Sequence, residues 1–239
     1  TCNMKFDFDL SSDENSPSPM GLVVLQVDET IEGEFREAFG TSKNQIFVTR
    51  IPSGLEVTAE SLISMERHIK ASAKLLPQSR EFSVIGYGCT SASAIIGSEK
   101  ISELIKSGCH TRKVTNPLLA ATEYAKHIRV RKLALLSPYI EEVNTPLRKA
   151  FGNNGLSTEV FGTFGEGKEE KVARISESST IEAAITLGQN ESVEAVFISC
   201  TNLRTFNCLD KIANKINKPV FSSNQSLAWH MKKLSQQSL

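Results

Sequence analysis

The chain has 239 residues, 27 Lys+Arg against 27 Asp+Glu, 40% hydrophobic and 23% charged residues. At roughly 100–200 residues per domain this is one large domain or two small ones, and the composition excludes a disordered or fibrous chain. A formal net charge of +0 without a basic stripe argues against nucleic acid as a partner, and no apolar run approaches the ~18–20 residues of a membrane span. The five cysteines (Cys2, Cys89, Cys109, Cys200, Cys208) are odd in number, widely spaced and never in a CxxC pair. No disulfide framework and no zinc site is expected. The first residues lack a basic start followed by an apolar stretch, so the expected compartment is the reducing cytoplasm.

In chain order, residues 1–20 are rich in Ser, Pro, Asp and Asn without a sustained period, and read as a mobile arm. GLVVLQV (21–27) is a short continuous apolar run, as a parallel strand buried on both faces would be. A polar loop (28–33) and a helix opening at EGEFREAF follow, then a strand at QIFVTRI (45–51). Thr58 caps a helix that runs to about Leu76 before Pro77; Ser61 stands where a capping box wants Glu, so the cap reads as partial. FSVIGYG (82–88) is a third strand, and CTSASAIIGSEKISELIK continues as loop and helix. Strand and helix alternate at the spacing of βα units, which predicts an α/β fold with parallel sheets.

The order then recurs: strand KLALLSPY (132–139), helix start NTPLRKAF (144–151), strand STEVFGTF (157–164), helix 178–188 and strand EAVFISC (194–200). Residues 21–39 lie on 133–151 without a gap, at an offset of 112 residues, matching Glu29 with Glu141, Arg36 with Arg148 and Ala38-Phe39 with Ala150-Phe151. Near the same offset Cys89-Thr90 meets Cys200-Thr201. The bland alternative is that any two βα units look alike. The matched Cys-Thr pairs favour two pseudo-symmetric, Rossmann-like (flavodoxin-like) lobes. The expected organisation is an arm (1–20), an N-terminal lobe (21–115) onto which the C-terminal helix (224–239) packs back, and a C-terminal lobe (116–223).

In open α/β sheets ligands bind beyond the carboxyl ends of strands, where Cys89 and Cys200 are predicted to sit. Each is also read as standing at a helix N-terminus, whose N–H groups favour an anion and lower a thiol pKa from about 8.5 toward neutrality. Thr90, Ser91, Thr201 and Asn202 supply donors for a substrate carboxylate. Two thiols facing each other across a cleft suit chemistry on both faces of one carbon. Free cysteine is also among the most buried residue types, and Cys109 and Cys208 are read as packed.

At these residues the sequence resembles the aspartate/glutamate racemase superfamily, in its branch of maleate cis-trans isomerases and arylmalonate decarboxylases. The likeness runs from Gly21 to Leu234 and is carried by GYGCTSAS (86–93), LLSPYIEEVN (135–144), FISCTNLRT (197–205) and PVFSSNQSLAWH (219–230). The resemblance implies a cofactor-free enzyme with its site in the cleft between two α/β lobes, and a homodimer or higher homo-oligomer. It implies Cys89 as the group that adds to substrate or abstracts a proton, Cys200 as the opposing acid, and Tyr139 as a substrate hydrogen-bond partner. Arylmalonate decarboxylases keep one of the two cysteines, so both together argue against decarboxylation. Two departures stand out. Asp28 occupies the place where maleate isomerases carry an Asn, and no matching Asn is clear in EGKEEKVARIS (166–176). A carboxylate repels a dianion, whereas racemases of the superfamily often carry an Asp there that assists the first cysteine.

Other residues have two readings each. Arg50 either clamps a substrate carboxylate bidentately or is a surface loop residue. Tyr139 lies at a strand end, where packing alone would also place it. Asn116 and Asn224 begin turns, where Asn serves local hydrogen bonding as readily as a site. No histidine has a Cys or carboxylate partner at a telling spacing, and GYG (86–88) is no dinucleotide fingerprint. The sequence therefore predicts a cofactor- and metal-independent isomerase of a small carboxylate. Cis-trans isomerisation of a maleate-like dicarboxylate leads, and racemisation of an acidic amino acid or hydantoin-like compound is the alternative. An arylmalonate-decarboxylase-like lyase or a non-catalytic binding protein stands behind both.

Overall fold

A computed structural model describes residues 3–11, 16–40 and 45–237 of the chain; Cys2 lies outside them. The first half runs β1 (Met20–Leu25), α1 (Ile31–Phe39), β2 (Ile46–Ile51), α2 (Ala59–Ser64), α3 (Glu66–Ala73), β3 (Phe82–Gly88), α4 (Thr90–Ile96), α5 (Ser98–Lys106), β4 (Thr111–Thr115) and α6 (Pro117–His127). The second runs β5 (Lys132–Ser137), α7 (Glu141–Asn153), β6 (Ser157–Thr163), α8 (Glu169–Val172), α9 (Glu177–Gly188), β7 (Ala195–Ile198), α10 (Phe206–Ile216), β8 (Val220–Ser222) and α11 (Ser223–Ser235). The strands form two four-stranded parallel sheets, in the orders β2-β1-β3-β4 and β6-β5-β7-β8.

The α/β class and the internal repeat are borne out. The two sheets share one winding order, and β1 and β5 begin 112 residues apart. Apolar runs become central strands because both faces are covered: β1 and β3 are buried throughout. The last helix of each half crosses to the other half. Leu118, Ala121 and Ala125 of α6 pack with Leu133, Leu135, Phe197 and Phe221 of the second sheet. Leu227, Ala228 and Met231 of α11 pack with Met20, Leu22, Val24 and Val84 of the first. Gly86 makes room for that return, since a Cβ there would stand 2.6 Å from Met231 Sδ. The exchange ties the lobes together.

Local details differ from expectation. The helix from Thr58 is two helices that divide at Met65. Its capping box is complete, because Ser61 Oγ accepts from Thr58 N while Thr58 Oγ1 accepts from Ser61 N, each at 3.0 Å. A serine hydroxyl can close the same reciprocal pair as Glu. Gly97, at φ +95°, separates α4 from α5. Helix α7 begins at Glu141, ahead of the expected start, and carries Pro146 inside it.

Candidate active site

Both cysteine loops leave the carboxyl ends of third strands, and both thiols line one enclosed cavity between the lobes. Its remaining wall is Leu25, Val27, Asp28, Thr90, Ser91, Tyr139, Glu169, Thr201 and Asn202. The cavity measures about 10 Å³, room for about one water molecule. It is closed by a seam between the loops after β2 and β6. Val57 N donates to Gly167 O at 2.8 Å, Glu169 N to Leu55 O at 3.1 Å, and Glu56 bridges Lys168. Outside the seam a wider cleft of about 500 Å³ shares Val27 and Glu169 with the thiol cavity.

Cys89 is the N-cap of α4, and its Sγ accepts from Ala92 N at 3.4 Å. Cys200 is built differently. Residues 201–205 form a turn and α10 begins only at Phe206, so Cys200 is not at a helix N-terminus as expected. Its backbone is held at φ +104°, and Sγ accepts from Asn202 N at 3.3 Å. A non-glycine residue at such a φ is strained, and strain of this kind concentrates at functional sites. Ser223 Oγ joins the two loops, accepting from Cys200 N at 3.0 Å and standing 2.7 Å from Thr90 Oγ1.

Asp28 and Glu169 supply the charge chemistry. Asp28 Oδ1 accepts from Thr30 N and Ile31 N at 2.8 Å each, and Oδ2 accepts from Thr201 of the other lobe at 2.8 Å. Glu169, which sequence reading missed, accepts from Tyr139 Oη and from Asn202 Nδ2, both at 2.8 Å. Tyr139 Oη in turn lies 3.0 Å from Cys200 Sγ. The missing signal was available: Glu169 stands in the segment where a binding Asn was sought. Ser91 Oγ lines the cavity, buried and without a hydrogen-bond partner among the described residues. A ligand is the natural occupant of such a position.

Burial decides the protonation states. It raises Asp28 to about 7, against the lowering effect of its three hydrogen bonds, and raises Glu169. It pushes Cys89 up to about 12 and Cys200 well above the ordinary thiol range, and the charges of Glu169 and Asp28 add to both. The expected lowering of the thiol pKa toward neutrality is therefore overturned. Donors at a helix terminus do not offset full desolvation beside two acids.

The other expected site residues fall outside the cavity lining. Arg50 Nη1 donates to the carbonyls of Leu25 (3.0 Å), Gln26 (3.2 Å) and Asp28 (3.0 Å), and Nη2 pairs with Glu32. It props the Asp28 loop from behind. Asn116 caps α6 through Leu119 N and donates to Ser98 Oγ. Asn224 donates to Glu34 Oε2 and Thr201 O, both at 2.8 Å. Cys109 and Cys208 are buried. Among the described residues no cluster of three or more His, Cys, Asp or Glu could hold a metal ion, and no helix is long and apolar enough to cross a membrane.

Two wound-alike α/β lobes thus enclose one thiol from each in a cavity between them, the architecture of a two-lobed α/β protein. Solved structures of this shape include a cysteine-to-alanine variant of the maleate isomerase Iso from Pseudomonas putida S16 with maleate, at 16% identity, TM-score 0.79 and 90% coverage of both chains. A Nocardia farcinica maleate cis-trans isomerase holding a covalently bound succinylcysteine intermediate matches at 20% identity and TM-score 0.79, over 91% of this chain and 92% of that one. A liganded arylmalonate decarboxylase variant matches at 18% identity and TM-score 0.78, over 93% and 94%. No curated protein sequence matches the chain. The arylmalonate decarboxylase family model matches residues 53–238, and the chain belongs to that family.

Proposed function

We propose that the chain is a cofactor-independent two-thiol isomerase that moves a proton at a carbon next to a carboxylate, in the manner of a racemase. Its substrate pairs one carboxylate with a donor-bearing group such as an amine or a ureide. The observation that carries this reading is that Asp28 and Glu169 both stand in the cavity wall, while among the described residues no Lys or Arg lines it. Beside the thiols a dicarboxylate would face two acids, with Lys168 and Arg174 only in the outer cleft. A substrate with N–H donors meets acceptors on one side, and the amides and hydroxyls after Cys89 receive its carboxylate on the other.

Asp28, near its midpoint at neutral pH, takes the proton of Cys89. The Cys89 thiolate then removes the proton from the substrate carbon, and the electron pair spreads into the carboxylate as an enediolate held by the start of α4. Cys200 delivers its own proton to the opposite face, and the Asn202 N–H donates to the thiolate left behind. The reverse direction exchanges the two thiols' roles.

Cis-trans isomerisation of a maleate-like diacid is the second reading. It is favoured by the fold shared with maleate isomerases and by the Tyr139–Cys200 contact. There Cys89 sulfur adds to the alkene, the former double bond rotates, and elimination of the thiol restores the alkene.

Proton NMR in heavy water separates the two. Wild type, Cys89→Ala and Cys200→Ala are compared on aspartate, glutamate, a hydantoin, an arylmalonate and maleate. Deuterium entering beside the carboxylate of a nitrogen-bearing substrate, lost in both variants, supports the proposal. Fumarate from maleate, with no exchange elsewhere, replaces it by the second reading. Carbon dioxide from arylmalonate replaces both by a lyase.

A further inference from the structure

Residues 4–10 read MKFDFDL, and this stretch alternates strictly, a local pattern that the composition of 1–20 taken as a whole conceals. Met4, Phe6, Phe8 and Leu10 fall on one side of an extended chain, and Lys5, Asp7 and Asp9 on the other. All four apolar side chains stand in solvent, 70%, 76%, 80% and 86% exposed. Scattered exposed apolar residues are ordinary, but a contiguous apolar edge of four marks an interaction segment.

Charge selects its receptor. The cleft outside the thiol cavity carries Glu29, Glu56, Glu169 and Glu170 against Lys168 and Arg174. A smaller hollow of about 240 Å³ beside α1 and α10 carries Glu29, Glu34, Glu37 and Glu177 against Arg204. Both repel Asp7 and Asp9. A groove of about 620 Å³ at the foot of the second sheet is lined by Lys126, Arg129 and Arg131 with the largely buried Val130 and Leu156 beneath, and by no acid among the described residues. Lys126 pairs with Glu123, whereas Arg129 and Arg131 have no ion-pair partner among the described residues. The nearby Glu194 carboxylate is held by the backbone N–H groups of Arg131 and Lys132.

We propose that residues 4–10 of one copy dock in this groove of a second copy, with Phe6 and Phe8 over Val130 and Leu156 and Asp7 and Asp9 facing Arg129 and Arg131. Reciprocal exchange makes a two-fold dimer, in which the same arm–groove contact occurs twice.

Analytical ultracentrifugation of the full chain across a wide concentration range tests this. Phe6→Ser with Phe8→Ser, on an arm that contributes nothing to the core, is expected to weaken dimerisation at least about tenfold, and Arg129→Glu with Arg131→Glu to do the same. Asp7→Lys with Asp9→Lys should also weaken it, and combining the two charge reversals should restore it. A monomeric full chain, or a dimer that neither pair of substitutions weakens, overturns the proposal. So does a monomer whose arm is protected from proteolysis by its own groove.

Discussion

The hydroxyl of Thr201, in the second lobe, donates to the carboxylate of Asp28, in the first, at 2.8 Å. The acid beside one cysteine is thus held by the residue that follows the other. Closing the lobes assembles Asp28, Cys89 and Cys200 together, and an open cleft would leave Asp28 wetter and more acidic. The raised pKa of Asp28 is a property of the closed state.

This gives a signed prediction for pH. Asp28 rises from 3.8 to about 7 on folding, because burial outweighs its hydrogen bonds. The folded state holds a proton there that the unfolded chain has released, so its contribution is fully present below pH 3.8 and is lost as pH rises through about 7. Integrated, the effect is on the order of 4 kcal/mol. His230 opposes it: its pKa falls from 6.5 to about 4, so its contribution is present above 6.5 and lost as pH falls through 4. Urea titrations of wild type and Asp28→Asn at pH 4 to 8 isolate the acid. The variant should gain stability relative to wild type as pH rises; a constant difference would refute the raised pKa.

With Cys89 near 12, its thiolate fraction at pH 7 is about one in 10⁵. Iodoacetamide labelling followed by mass spectrometry, in a Cys2→Ser background, should be slow at both Cys89 and Cys200 at pH 7. It should accelerate about tenfold per pH unit. Rapid neutral labelling of either would mean that the closed, dry cavity is not the dominant state.

Glu169 sets the proton on the Tyr139–Cys200 pair. Accepting from Tyr139 Oη, it turns that hydroxyl's proton away from Cys200. In Glu169→Gln the amide can accept from Asn202 and donate to Tyr139, freeing the phenol proton for Cys200 Sγ. Cys200 labelling should then quicken by about tenfold or more, since a negative charge beside it is also lost. Tyr139→Phe in the same background should cancel the part due to the hydroxyl. Unchanged Cys200 labelling in Glu169→Gln would remove Glu169 from this role.

The lobes were legible because buried parallel strands leave continuous apolar runs such as GLVVLQV, and because two such series lay 112 residues apart. The partners in the cavity were legible as far as they sat beside the cysteines: Asp28, Thr90, Ser91, Thr201 and Asn202 all line it. Glu169 was not singled out within the segment 166–176, because it opens the short α8 beyond β6 and its partners Tyr139 and Asn202 lie 30 and 33 residues away. The thiol pKa was misjudged for a related reason. Cap geometry is local and readable, whereas desolvation sums contributions from every segment that closes over the site. Arg50, Asn116 and Asn224 have the right chemistry for carboxylate binding, yet backbone carbonyls, Ser98 and Glu34 take up the donor groups that would do it.

Cys200 at φ +104° is accessible to glycine without the steric cost that a Cβ carries. Both Cys200→Ala and Cys200→Gly remove the thiol, but the alanine keeps the strain. Cys200→Gly should therefore unfold no more readily than Cys200→Ala, and by analogy with strained sites should exceed it by about 1 kcal/mol, despite glycine's larger unfolded-state entropy. Chemical denaturation of the two side by side decides it. A clear advantage for alanine would mean that the loop relaxes in the folded protein.

Glu34 is the deeper lock between lobes. From α1 its Oε1 accepts from Thr205 N at 2.6 Å and Phe206 N at 3.0 Å, at the start of α10, while Oε2 accepts from Asn224 Nδ2 at 2.8 Å. Burial raises its pKa against these bonds. Glu34→Ala strands two backbone donors and the Asn224 amide, and each buried unsatisfied group costs about 1–3 kcal/mol. A loss of about 3 kcal/mol or more is expected. Asn224→Ala leaves the N–H groups of α10 satisfied and should cost less, about 1–2 kcal/mol. Because Asn224 stands outside the cavity lining, its removal should lower stability while leaving KM on the substrate found by NMR within about twofold. A large rise in KM with unchanged stability would return Asn224 to the binding site.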